Sequence, residues 1–171
     1  MQFIENLEPI LREVEQHIGA AGWDQPARLF ALVSTAELIL ADPTLAAELN
    51  LTPELALTSV EQEIEPGQSL EELLATIAWP ADVHGAILAI ERIVLPPSAE
   101  AQLPNDGDQE LIDAAIEHPD RRDVRIVSAV LRTGENLNAL RYRSHDEPTE
   151  VAVAPDLVGR LNESLLATFE D

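Results

Sequence analysis

Phe3, Ile4, Leu7, Ile10, Leu11, Val14 and Ile18 recur every three or four positions, with Glu5, Glu8, Arg12, Glu13 and Glu15 between them. That spacing predicts an amphipathic helix. Pro9 places the start of its regular part near Leu7 or Glu8, because proline fits a first turn and disrupts later ones. Gly19 to Gly22 ends it. The apolar run Arg28-Leu29-Phe30-Ala31-Leu32-Val33 follows a turn and predicts a mostly buried strand. Ser34 with Glu37 has capping-box spacing, and Asp42-Pro43 offers a second N-cap with proline at the first helical position. Two short helices are expected over about 35–50.

The next stretch is readable two ways: 52–64 is helix or strand, and Leu57-Thr58-Ser59-Val60-Glu61-Gln62 alternates as a short strand does. Pro66-Gly67 is a turn. Ser69 with Glu72 opens a helix through Leu73, Leu74 and Ile77 that stops before Pro80. Ile87, Ile90, Ile93 and Val94 make 83–95 a long strand, ended by Pro96-Pro97. After a loop, Asp106 or Asp108 caps a short helix that ends at His118-Pro119. Residues 124–132 and 137–143 form a hairpin about Thr133-Gly134-Glu135-Asn136, and Gly134-Glu135 is read as a two-residue turn. Pro155 is expected to open a C-terminal helix with Leu157, Val158, Leu161, Leu165 and Phe169 on one stripe.

This order predicts one α+β domain over 1–171, with a mainly antiparallel sheet and flanking N- and C-terminal helices. With the helices near 35–50 and 70–78 set aside as insertions, the layout resembles the secretion-chaperone-like fold: one helix, three strands, one helix, two strands, one helix. That resemblance implies a homodimer. Two sequence blocks carry a second likeness. Gly22-Trp23-Asp24-Gln25-Pro26 with Arg28 to Val33, and His118-Pro119-Asp120-Arg121-Arg122-Asp123-Val124-Arg125, resemble an uncharacterised family of small acidic actinobacterial proteins. The likeness spans nearly the whole chain and brings no catalytic residue with it.

Composition narrows the function classes. The 171 residues hold 32 acids and 10 arginines and no lysine, for a formal charge of −22, which opposes contact with nucleic-acid phosphates or anionic membrane. Cysteine is absent, so disulfides and thiolate chemistry are excluded. An apolar content of 46% is too high for disorder. No apolar run has the length of a membrane span, and Met1 to Asn6 lacks the features of a secretory signal, so the cytoplasm is the expected compartment. No phosphate-binding glycine loop, nucleophile elbow or zinc-protease helix occurs. No catalytic residue, cofactor or metal ligand is therefore assigned.

The hairpin interrupts the negative charge: residues 119–143 carry six arginines and three acids. Under the two-residue turn, Arg141 and Arg143 share one face opposite Ser128 and Ile126, while Leu140 and Tyr142 point to the other. Two arginines so spaced suit a bidentate grip on a carboxylate or phosphate, with His118 and Asp120 as possible helpers. The competing account pairs them with the protein's own carboxylates. Trp23 and Tyr142 are the interface candidates. The leading expectation is a non-enzymatic interaction module that binds itself as a homodimer, and another protein, through a sheet face or helix stripe. The alternative is a small-anion-binding protein or enzyme using the arginine clamp.

Overall fold

The computed structural model describes residues 7–51, 56–64, 67–94, 122–143 and 151–169. Helix α1 (Leu7–Ala20) leads into strand β1 (Arg28–Ser34), then α2 (Thr35–Ala41), α3 (Pro43–Glu48) and β2 (Leu57–Gln62). Helix α4 (Leu70–Thr76), strands β3 (Val83–Val94), β4 (Arg122–Leu131), β5 (Asn136–Tyr142) and β6 (Ala152–Ala154), and helix α5 (Gly159–Ala167) complete the described chain. The strands form one six-stranded sheet in the order β2-β1-β3-β4-β5-β6, every neighbouring pair antiparallel. The α+β architecture with terminal helices is the one the residue pattern predicts.

The short helices form where their caps dictate. Ser34 Oγ accepts from Glu37 N at 3.3 Å, Asp42 Oδ1 from Leu45 N at 3.0 Å, and Ser69 Oγ from Glu72 N at 3.1 Å. The alternating stretch at 57–62 is a strand. The expected helix after Asp106 lies outside the described residues.

Alternation along the strands produces two apolar layers. On one face Phe30, Leu32, Ile87, Ala89, Val127, Ala129 and Leu131 pack beneath Leu7, Leu11, Val14 and Ile18 of α1. On the other, Leu29, Ala86, Leu88, Ile90, Val124 and Ile126 pack with Leu73 of α4 and Leu165 of α5. Ala86, Ile87 and Leu88 are fully buried, which marks β3 as the central strand covered on both sides. Both sheet faces thus carry helices among the described residues.

Two expectations are corrected. Arg125 pairs with Arg141 and Val124 with Tyr142, so Arg141 does not stand opposite Ser128, nor Arg143 opposite Ile126. Leu131 N donates to Glu135 O at 2.8 Å and Gly134 N to Leu131 O at 2.8 Å, enclosing a three-residue connection with Gly134 at φ 107°. The positive φ falls at the third loop position, so the register differs from that of a two-residue turn. Second, the last helix begins at Gly159 rather than Pro155, and β6 precedes it, adding a strand to the chaperone-like layout. Asn138 Oδ1 accepts from Leu157 N at 3.0 Å and Val158 N at 3.4 Å, holding the chain in a turn where a helix from Pro155 would already be running. Leu157 is accordingly exposed.

Candidate functional site

The end of α1, the connection to β1 and the far ends of β3, β4 and β5 meet on the α1 side of the sheet. Gly22 and Asp24 adopt φ of 88° and 66°, folding the connection tightly. Glu91 of β3 receives its backbone: Asp24 N donates to Oε1 at 2.9 Å and Gln25 N to Oε2 at 3.0 Å. Gln25 Nε2 in turn donates to Ile18 O at 2.8 Å. A loop of small and polar residues is thereby fixed, and it delivers Trp23 onto the sheet.

Trp23 meets two cations there. The Arg125 guanidinium lies 4.4 Å from its ring centre and that of Arg143 5.7 Å. Arg125 also donates to Gly22 O and approaches Glu91 Oε2 at 3.8 Å. Arg141 is buried and donates through Nη2 to the equally buried Glu15 Oε1 at 2.7 Å. Arg143 holds Asp24 through two parallel bonds of 3.0 and 3.1 Å and reaches Asp123 Oδ2 at 3.3 Å. The bonds to Asp24, and secondarily the nearby Asp123, push the Arg143 pKa up.

Of the residues singled out in the sequence, Arg141, Arg143 and Trp23 come together in this cluster. Tyr142 points to the opposite face and packs against the α4 and α5 layer. His118 and Asp120 lie outside the described residues. Glu15, Asp24 and Glu91, the acids that engage the arginines, are joined to them only by the fold. Glu15 carried a legible signal: it sits four residues after Leu11 and three before Ile18, on the apolar stripe of α1. Chemically the arrangement is a staple: three arginines of the hairpin, each beside a carboxylate of α1, its connection or β3. An external anion at this cluster competes with Glu15 or Asp24, and Arg143, with its side chain 43% exposed, is the more accessible position.

Among the described residues, three larger openings lie elsewhere. A groove of about 650 Å³ runs between α4 and α5 over Ile90 and Ile126. A cleft of about 980 Å³ lies where β1 begins and β2 ends, with Gln25, Arg28, Glu61 and Ile64 in its wall. A groove of about 250 Å³ brings Leu49 and the first half of β2 beside Pro9, Ile10 and Glu13 of α1. Among the described residues, no group of three His, Asp or Glu is placed to hold a metal, and no helix is long and apolar enough to cross a membrane.

No curated protein and no solved structure matches the chain. A family model does match, that of the PPA1309-like proteins, over residues 7–170.

Proposed function

The chain belongs to the PPA1309-like protein family, and from that premise we propose that it is a non-enzymatic interaction module that pairs with a second copy of itself along strand β2. The observation that carries this reading is the edge that β2 presents, undefended among the described residues. Natural sheets blunt their edges with short strands, lysines, prolines or bulges. The β6 edge follows that rule, being three residues long. The β2 edge is six residues long, contains no proline or lysine, and keeps an unbroken register with β1.

Its one charge is already neutralised. Glu61 accepts from Arg28 Nε and Nη2, both at 2.8 Å, within the same molecule. Val60 on this strand is 37% exposed. Leu49, 50% exposed, lines the groove beside the first half of the strand. Leu40, 84% exposed, belongs to the same excursion between β1 and β2. Apolar side chains left open beside a free edge suit association more than solvation. A strip with no net charge is also where two copies of −22 each approach at least electrostatic cost. In this reading the hairpin arginines serve the fold first, with their own carboxylates in the place of an outside anion. The proposed compartment is the cytoplasm.

Sedimentation across tens of micromolar tests the reading. The wild type should be dimeric, and Val60→Lys, which puts a charge on the edge without touching the core, should be monomeric and folded. A monomeric wild type, or a Val60→Lys variant that remains dimeric, would overturn it.

A further inference from the structure

Arg92 and Arg160 differ from Arg12, Arg28, Arg125, Arg132, Arg141 and Arg143. Arg12, Arg28, Arg125, Arg141 and Arg143 each have a carboxylate within ion-pair distance, and Arg132 donates to the Pro80 and Val83 carbonyls. Arg92 and Arg160 make no hydrogen bond or ion pair with the described residues, although acids outnumber arginines threefold in this chain. Both line the same groove between α4 and α5. The larger cleft at the start of β1 offers no comparable feature, because its arginine, Arg28, is held by Glu61.

The rest of that groove is mainly apolar. Ile90 and Ile126 form its floor, and Leu70, Leu74, Val158 and Leu161 are in its walls. Its volume of about 650 Å³ falls in the range of small-molecule sites, where an apolar lining with a few fixed polar groups is the usual composition. Glu71 is the one acid in the lining, so the two arginines leave a local excess of a single positive charge. The first turn of α5 opens on the groove at Gly159 and Arg160, and its N-cap, Val158, has no side chain that accepts from the turn. Those backbone N–H groups add to the preference for an anion without defining it.

We infer that this groove is a binding site for a small aliphatic carboxylate, its head group between Arg92 and Arg160 and its chain along Ile90, Ile126, Leu74 and Leu161. A single negative charge matches the local excess, and an unbranched aliphatic body matches the lining. Guanidinium groups that pair with none of the described residues exchange hydrogen bonds to water for charge-assisted ones when such a head group arrives. The site is separate from the hairpin cluster and from the β2 edge, and it stands whether or not the chain dimerises.

Decanoate is the probe, titrated into the full-length protein and followed by backbone and methyl NMR shifts. Saturable binding below the millimolar range is expected, with shifts centred on Ile90, Ile126, Leu74 and Leu161. Decanol, which keeps the chain and lacks the charge, should bind at least about tenfold more weakly, as should decanoate to the Arg92→Gln, Arg160→Gln double variant. Both arginines are exposed, so that variant keeps its fold. Ser164→Trp, which fills the groove from an exposed position, should abolish binding, with circular dichroism confirming the fold. Failure of decanoate to saturate, equal binding of decanol, or undiminished binding to the double-arginine variant would each overturn the assignment.

Discussion

Arg125 and Arg141 are register partners across β4 and β5, two buried guanidiniums facing one another on the α1 side of the sheet. Like charges directly opposite in a ladder destabilise it. Here the repulsion is offset from two directions, by Glu15 of α1 against Arg141 and by Glu91 of β3 beside Arg125. A Cβ at Gly19 would stand 3.6 Å from both guanidinium groups, so the last turn of α1 closes directly over the pair.

Glu15 is therefore expected to hold α1 to the hairpin. Glu15→Ala takes away the carboxylate 2.7 Å from Arg141 in a buried setting, and a loss of about 3 kcal/mol is expected from urea denaturation followed by circular dichroism. Glu15→Gln, which can keep one hydrogen bond, should lose less. A loss under about 1 kcal/mol for Glu15→Ala would show that the pair does not anchor the helix.

On the opposite face a buried amide network sets the path of the C-terminal helix. Asn138 Nδ2 donates to Ser128 Oγ at 3.0 Å and to Asn162 Oδ1 at 2.8 Å, while Asn138 Oδ1 takes the Leu157 and Val158 N–H groups. Asn138→Ala strands several buried polar atoms at once. A loss of about 2–3 kcal/mol is expected, with hydrogen exchange accelerated across 157–167 ahead of the sheet. Uniform acceleration throughout the molecule would argue against a local anchoring role.

Gly85 permits the close approach of β3 to β4. A Cβ there would lie 2.7 Å from the Val130 carbonyl oxygen and 3.0 Å from Leu131 Cδ2, beside the register shift between Leu32 and Val33. Backbone cannot yield as a flexible side chain can, so Gly85→Ala is expected to cost about 1–3 kcal/mol of unfolding free energy, read as a lower denaturation midpoint. An unchanged midpoint would show that the strands separate freely at this point.

The Arg28–Glu61 pair gives stability a defined pH dependence. The hydrogen bond from Arg28 holds the Glu61 pKa below its ordinary value of 4.5, against a smaller opposing effect of burial. Because the folded value is the lower one, the contribution is complete above the ordinary value and is lost as pH falls through the lowered one. With Glu61 43% exposed, less than about 1 kcal/mol is at stake. The stability difference between wild type and Glu61→Gln should therefore shrink as acidification proceeds below pH 4.5. A difference that grows on acidification would contradict the assignment.

What the residue pattern reveals and what it conceals divide along a physical line. Ser34, Asp42 and Ser69 are legible caps because each serves an N–H group three residues away. The hairpin strands are legible from their alternation. Their register is not, because Gly134 suits the third position of a three-residue connection as well as the first of a two-residue turn. The start of α5 depends on Asn138, about twenty residues earlier, and Glu15 and Asp24, which hold Arg141 and Arg143, lie more than a hundred residues away from them. Separations of that size leave no periodic trace. The contrast between Arg92 and Arg160 and the arginines that pair with carboxylates is likewise visible only in three dimensions.

The placement of Trp23 has a practical consequence. It lies against the arginines on the α1 side, while Trp79 stacks on Phe169 at 5.6 Å and donates to Thr168 Oγ1 at 2.8 Å on the other. These are the only two indoles in the chain. Each layer therefore carries its own built-in emitter, one beside two guanidinium groups and one stacked on a phenyl ring. Replacing either by phenylalanine turns fluorescence into a recording of a single layer as it loosens.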